Sequence, residues 1–343
     1  MSRRRTALGA LVAAALVAGT GTAGATADAT GNRLAGPDRF STARVVAEQT
    51  FPDGATVALL ASGRSFADAL AASYLSGAGQ LPLLLTEPHG LPADLTDTLR
   101  ALNVEGVLVL GGTAAVNESV VDQLESEGFD VDRLAGDDRY ETARRIAELL
   151  PQDAVGSFGA GRAAIVATGE AFPDALAAGP LSASQGMPIL LTEGGALNAH
   201  AQAALESLDI EQVLIAGGPA AVSDAVVDAI EAMGIAVRRV AGASRQATAA
   251  ALAEVARGEL SYPTERVLLA RGDSFADALA GGTRGGHLFA PILLISAAGT
   301  LGVDARSFIS DNAGTIATVD ALGGTAAVSD ATLNDAVAAA RGQ

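Results

Sequence analysis

Ser62–Ala72 reads SGRSFADALAA, and the phrase returns twice, as TGEAFPDALAA at Thr168–Ala178 and as RGDSFADALAG at Arg271–Gly281. In each copy an apolar run gives way to a Gly, and an Ala- and Leu-rich stretch begins a few residues later. That is the pattern of a strand turning tightly into a helix. Working outward, the interval from the Asp of the phrase to the Pro of the next apolar run is 14 residues in every copy: Asp68 to Pro82, Asp174 to Pro188 and Asp277 to Pro291. A constant interval is expected where a helix and the strand after it pack in fixed register. Length varies elsewhere, with 27, 33 and 30 residues separating Arg39 from Phe66, Arg139 from Phe172 and Arg245 from Phe275. The extra residues of the second copy include VGSFGAGR, a Gly-rich stretch expected as a surface loop.

Three more phrases keep the same order. RLAG at Arg33 and Arg133 matches RVAG at Arg239; LPLLLT from Leu81 matches MPILLT from Met187 and APILLIS from Ala290; VLVLGGTAAV from Val107 matches VLIAGGPAAV from Val213 and VDALGGTAAV from Val319. The chain is therefore a threefold repeat. Its expected limits are a leader over 1–27 and repeats over 28–132, 133–237 and 238–343. Within a repeat, short apolar runs (VDRLAG, TVALLAS, LPLLLT, GVLVLGG) alternate with longer amphipathic ones (DRFSTARVVAEQT, FADALAASYL, ADLTDTLRAL, ESVVDQLES). Alternating strand and helix implies a parallel sheet with right-handed crossovers, so each repeat is expected to be a small Rossmann-like α/β unit. With 49% hydrophobic but only 3% aromatic residues, the packing should rest on Ala, Val and Leu.

Arg3–Arg5, the apolar run Leu8–Ala18 and the small residues Ala25-Thr26-Ala27 fit a cleaved secretory leader. Its apolar core is too short to span a bilayer, and no apolar run of about 20 residues follows. After cleavage no membrane insertion is expected. Losing Arg3, Arg4 and Arg5 and no acid takes the net charge from -17 to -20. That charge disfavours a nucleic-acid partner, and any anionic partner must be met by local Arg, helix N-termini or a bridging cation. With no Cys, disulfides, thiolate metal sites and a cysteine nucleophile are excluded.

Together the phrases RLAGxDRxxTA, SGxxFxDALAA, PILLT and VLxxGGxAAV resemble the cell wall-binding repeat 2 family, found in surface proteins of Gram-positive bacteria. The resemblance runs from Arg33 to the C-terminus. It implies three tandem repeats packed as one pseudo-threefold module and non-covalent attachment at the cell wall or cell surface, through an anionic secondary wall polymer or a peptidoglycan-associated glycan. No cofactor is implied.

Arg39, Arg139 and Arg245 each stand just inside a helix opened by Asp38, Asp138 or Ser244. A cation there opposes the helix dipole, so something must compensate it. Two readings stand side by side: an ion pair with Asp68, Asp174 or Asp277, or a guanidinium fork offered to a polymer phosphate or carboxylate. The three Asp residues sit at the strand-to-helix turn, where ligands of open α/β sheets bind, and a helix-capping role competes with a ligand role. The pairs Gly111-Gly112, Gly217-Gly218 and Gly323-Gly324 fit a tight turn before helices capped by Asn117, Ser223 and Ser329, or a phosphate cradle. The Leu residues of PILLT are expected in the core. An alternative function, a secreted hydrolase of wall material, would use Ser274 in ARGDSFAD. Its counterpart in the second repeat is Ala171, and none of His89, His200 and His287 lies three residues after an Asp, so no triad is supported and no enzymatic activity is expected. The His residues also offer no metal-binding pair.

Overall fold

The computed structural model describes residues 28–275, 277–296 and 299–343; the leader expected over 1–27 lies outside them. The first repeat contributes β1 (Thr30–Leu34), α1 (Arg39–Thr50), β2 (Val57–Ser62), α2 (Ala67–Gly79), β3 (Leu83–Thr86), α3 (Leu95–Ala101), β4 (Gly106–Leu110) and α4 (Glu118–Ser126). The second follows with β5 (Asp130–Leu134), α5 (Arg139–Ala147), β6 (Ser157–Phe158), β7 (Gly161–Thr168), α6 (Pro173–Gln185), β8 (Ile189–Thr192), α7 (Ala199–Ser207), β9 (Gln212–Ala216) and α8 (Asp224–Ala232). The third has β10 (Ala236–Val240), α9 (Arg245–Gly258), β11 (Arg266–Arg271), α10 (Gly281–His287), β12 (Ile292–Ile295), α11 (Val303–Asp311), β13 (Thr318–Leu322) and α12 (Asp330–Ala340).

The strands form three sheets in the orders β3-β2-β4-β5, β8-β7-β9-β10 and β12-β11-β13-β1, and every pair among these is parallel. The sheets are offset from the sequence repeats. The strand that opens the second repeat, β5, completes the first sheet from Gly106↔Asp130 to Leu110↔Leu134, and β10 does the same for the second. With no earlier repeat to join, β1 pairs with β13 at the far end of the chain, from Thr30↔Thr318 to Leu34↔Leu322. A limit at 132/133 or 237/238 thus falls inside a strand. The Arg of each RLAG phrase reinforces this pairing by donating to the carbonyl just after the neighbouring strand, Arg33 to Gly323 (2.9 Å), Arg133 to Gly111 (2.8 Å) and Arg239 to Gly217 (2.9 Å). VGSFGAGR does not stay an open loop. It folds into a short antiparallel hairpin, β6 against β7.

The three apolar strands of each sheet are buried on both faces, whereas the closing strands β5, β10 and β1 remain partly exposed. Outward residues such as Ala58, Leu60, Val107 and Val109 meet Leu95, Leu99, Val120 and Leu124, and the other sheets have equivalent outer cores. The inward residues are shared. Leu59, Leu83 and Leu85 belong to the same continuous core as Ile165, Ile189 and Leu191 and as Leu268, Ile292 and Leu294. The flanking residues of each PILLT phrase are therefore core residues of the whole module, while the middle ones, Leu84, Leu190 and Leu293, lie in the outer cores. At its centre α2, α6 and α10 approach too closely for side chains: a Cβ at Gly77 would lie 1.8 Å from the Ala183 carbonyl oxygen, and one at Gly286 2.2 Å from the Ala183 Cβ. This closeness has a cost in α10, whose sequence GGTRGGH is poor in helix formers. The helix begins only at Gly281, whereas α2 and α6 start directly after their Phe.

Candidate functional site

In each sheet the first strand is flanked by the second and third, so successive crossovers leave in opposite directions and a crevice opens at the strands' C-terminal ends. The Asp of the repeated phrase stands there. The N-cap positions of α2 and α6 are Phe66 and Phe172, without a side-chain cap bond, and Asp68 and Asp174 lie in the first turn. Capping is thus not what these carboxylates do. Each packs on the first Gly of its Gly-Gly pair: a Cβ there would lie 2.3 Å from Oδ2 of Asp68 at Gly111, 2.6 Å from Asp174 at Gly217 and 2.7 Å from Asp277 at Gly323. Those glycines also hold φ of +98°, +118° and +95°, so they are required both for the turn and for the carboxylate.

The three carboxyls are all pushed above the ordinary carboxylate range by burial. For Asp68 the Thr142 hydroxyl and the Arg139 charge oppose the rise. Burial takes Asp174 to about 6 against the charge of Arg245. For Asp277 the Thr42 hydroxyl and the charges of Arg39 and Arg271 oppose it. In every case the first-named opposing groups come from the next repeat in cyclic order, the third facing the first, and only Arg271 comes from the repeat of its own Asp. The clefts that unite the candidate residues are therefore those between repeats.

Asp38, Asp138 and Ser244 are the N-caps expected, accepting from the N–H groups of Ser41 (2.8 Å), of Tyr140 and Glu141 (both 2.9 Å) and of Ala247 (3.1 Å). Just inside them, the compensation for the unfavourable Arg is visible. Arg39 donates to the Gly63 carbonyl at 2.7 Å, Arg139 to Gly169 at 2.5 Å and Arg245 to Gly272 at 2.5 Å, each closing its helix onto the turn after the following strand. Their guanidinium groups also reach across the repeat boundary. Arg39 lies 5.7 Å from the ring centroid of Phe275, and Arg139 lies 5.8 Å from that of Phe66, within cation–π range. Among the described residues none of the three Arg pairs directly with a carboxylate within 4.0 Å.

Phe66, Phe172 and Phe275 meet one another at the centre, with ring centroids 5.7, 5.6 and 5.7 Å apart, and all are half-buried. They mark the pseudo-threefold axis on the face that carries the Asp and Arg residues. Sequence reading had used these Phe only as spacing marks. Their recurrence immediately before the Asp was the available signal. It likewise passed over the RLAG arginines, which bind the Gly carbonyls noted above and pair with the first turn of the following helix through Asp330, Glu118 and Asp224.

The Gly-Gly turns lead to helices whose caps differ. Asn117 accepts from the Ser119 N–H (3.0 Å) and Ser329 from the Thr332 N–H (3.1 Å), but Ser223 makes no side-chain cap bond. Between the third and first repeats lies a cleft of about 450 Å³ lined by Arg39, Arg64, Glu87, Ser274 and Asp277, among others. Ser274 is thus placed beside the recurring Arg and Asp, and no His lines that cleft. His287 packs on Phe51, with ring centroids 5.2 Å apart, and burial pushes it below the usual imidazole range. Among the described residues no three His, Asp or Glu are grouped to hold a metal, and no helix is long and apolar enough to cross a membrane.

Three closed α/β repeats with the same Arg, Asp and Phe at each junction define a repeat-built binding module, and sequence comparison gives its class. The profile of cell wall binding domain 2 matches residues 33–121, 133–227 and 239–333, so the chain belongs to that family. Among curated relatives, it is 30% identical over 297 residues to the amidase enhancer of Bacillus subtilis (strain 168), covering 84% of this chain and 39% of that protein. It is 29% identical over 259 residues to N-acetylmuramoyl-L-alanine amidase LytC of the same organism, covering 76% of this chain and 49% of that one. The chain thus spans less than half the length of each. Among solved structures it superposes on Cwp6 from Clostridium difficile with a TM-score of 0.81 at 25% identity, covering 91% of this chain and 48% of that one. Cwp8 from the same organism, at 22% identity and TM-score 0.79, shares the fold.

Proposed function

We propose that this protein attaches non-covalently to the wall of a Gram-positive cell, by binding an anionic wall polymer at the clefts between its repeats. The observation that carries the reading is the match of all three repeats to cell wall binding domain 2, closed here into one module whose junctions repeat the same charged and aromatic groups. Arg39, Arg139 and Arg245 with Asp68, Asp174 and Asp277 are the proposed contact residues. Guanidinium groups supply planar donors for phosphate or carboxylate, while the carboxylates can accept from the hydroxyls of a glycan. Several weak sites on one chain reinforce one another through effective concentration, so the intact module would hold a polymer that a single repeat releases.

The leader over 1–27 fits export, with a mature chain starting at Asp28. No His lines the cleft that holds Ser274, so a Ser–His pair is not formed there, which favours binding over hydrolysis. The test is co-sedimentation of the protein with purified wall sacculi, before and after hydrofluoric acid strips their secondary polymers. Retention on intact and loss from stripped walls is the expected result. Equal retention on both would assign the ligand to the peptidoglycan strands instead.

A further inference from the structure

The three junctions are equivalent in fold but not in charge, and the difference is concentrated at one position. The residue after the Gly of the repeated phrase is Arg64 in the first repeat, Glu170 in the second and Asp273 in the third. The residue just after the next strand is Glu87, Glu193 and Ser296 in the same order.

At the junction of the third and first repeats, Arg64 grips Glu87 through two bonds of 2.8 and 2.5 Å and lies 5.8 Å from the Phe40 ring centroid. Its side chain remains 55% exposed. The hydrogen bonds from Arg64 and the charges of Arg64 and Arg39 hold Glu87 below its usual range. That acid is therefore already balanced. The pair uses two guanidinium N–H groups and leaves others for a ligand. The same cleft holds Arg39, and Arg271 contributes a positive charge at Asp277.

At the junction of the first and second repeats the equivalent positions are both acidic. The Glu170 carboxylate lies 3.3 Å from where a Cβ on Gly194 would stand, next to Glu193 in the chain, and burial together with the charges of these two acids pushes the Tyr140 phenol above its usual range. Among the described residues neither Glu170 nor Glu193 has a cation paired with it within 4.0 Å. Counting Asp38, Arg39, Arg64, Glu87 and Asp277, the first of these clefts carries -1; the equivalents Asp138, Arg139, Glu170, Glu193 and Asp68 carry -3. At the remaining junction the equivalents Ser244, Arg245, Asp273, Ser296 and Asp174 also carry -1, but the added guanidinium there is Arg271, held on Asp273 at 2.8 and 2.5 Å with its side chain 30% exposed against 55% for Arg64.

Resting on the wall-binding reading above, we propose that the anionic groups of the polymer are read chiefly in the cleft between the third and first repeats, with Arg64 as the specificity-determining cation, while the cleft between the first and second repeats repels the same anion. The three junctions share a scaffold and differ in occupancy. The ligand class is a glycan bearing phosphate or carboxylate.

The experiment measures co-sedimentation with intact and acid-stripped sacculi for the full mature chain, R64E and E170R, each checked by circular dichroism and thermal melting. R64E should weaken retention on intact walls roughly tenfold at low salt, the effect of reversing one charge about 5 Å from an anion in water. E170R, which gives the second repeat the Arg64–Glu87 arrangement opposite Glu193, should strengthen it by a similar factor. If R64E is folded and binds like the parent, or E170R weakens binding without unfolding, the asymmetric reading is wrong. If the parent chain binds stripped and intact sacculi equally, the wall-polymer reading fails as well, and the two failures are told apart by that control.

Discussion

Removing the carboxylate of Asp320 should destabilise this protein far more than removing it together with Arg284. Asp320 is fully buried in β13 and accepts 2.8 Å bonds from Arg266 and a 2.9 Å bond from Arg284, itself almost fully buried in α10. Arg284 also reaches the first repeat, donating to the Thr50 hydroxyl (3.2 Å) and the Gln49 carbonyl (3.3 Å). The equivalent positions in the other repeats hold buried leucines, Leu75 and Leu108 in the first, Leu181 and Leu214 in the second. D320L therefore leaves a guanidinium stranded in the core, at a cost of about 3–5 kcal/mol. R284L is milder, about 2 kcal/mol, because Arg266 still serves Asp320. The double variant restores the leucine pair of the other repeats and should fall within about 1 kcal/mol of the parent, since apolar replacement of a buried pair is close to neutral. For a domain of this size a loss of 4 kcal/mol lowers Tm by roughly 8 °C. Thermal and urea unfolding of the four proteins measure the coupling directly. A double variant at least as unstable as the sum of the singles would show that the pair is not what balances these charges, and the reasoning would fall.

Three other outcomes are expected. Because the folded pKa of Asp174 is raised from 3.8 to about 6, the folded state binds this proton more tightly than the unfolded chain, so the stability it contributes is present near pH 4 and is lost as pH rises through 6. D174N should remove that slope and stabilise the protein relative to the parent at pH 7.5 but not at pH 4, by about 1–2 kcal/mol once partial exposure is allowed for; a variant less stable at both pH values would contradict it. The second repeat alone, Arg133–Gly234, loses the core shared with its neighbours and should fail to melt cooperatively, whereas a sharp monomeric transition at the parent temperature would refute the shared core. Deleting residues 28–35 uncovers the edge of β13 and should cause concentration-dependent association measurable by light scattering; a deletion that stays monomeric with the parent Tm would show β1 to be dispensable.

The α/β character and the threefold repeat were legible because they rest on periodicity and constant spacing, which local chemistry imposes: apolar strands buried on both faces, and 14 residues from Asp to Pro wherever a helix packs on its strand. Asp38 and Asp138 were legible as caps because an N-cap is a local contact. What the sequence could not display was the partner across each junction. Nothing near Arg39 in the chain announces Phe275, and nothing near Asp68 announces Thr142 and Arg139, because those encounters depend on how repeats turn relative to one another. The same applies to β5 and β10. Read along the chain, VDRLAG opens a repeat, but its hydrogen bonds go to the strand before it, and the pairing of β1 with β13, reinforced by the Arg33–Gly323 bond, closes the ring across almost the whole chain.

Closure raises a problem that three like repeats cannot solve by themselves. Units joined head to tail close into a ring when the rotation allows, but the strand that ends one repeat could equally well receive β1 from another molecule. The divergences lie where they bear on that choice. Asp320 accepts from Asn32 of β1 at 3.2 Å as well as from Arg266 and Arg284, and Arg284 reaches the end of α1; the first and second repeats have leucines where that pair stands. A buried charged group satisfied only by this set of neighbours penalises every pairing that lacks one of them. β1 offered to the edge of the first or second sheet would present Asn32 to Leu108 or Leu214, with no carboxylate to receive it. The ionic group in an otherwise aliphatic core thus distinguishes the third sheet as the place where the chain ends on its own beginning.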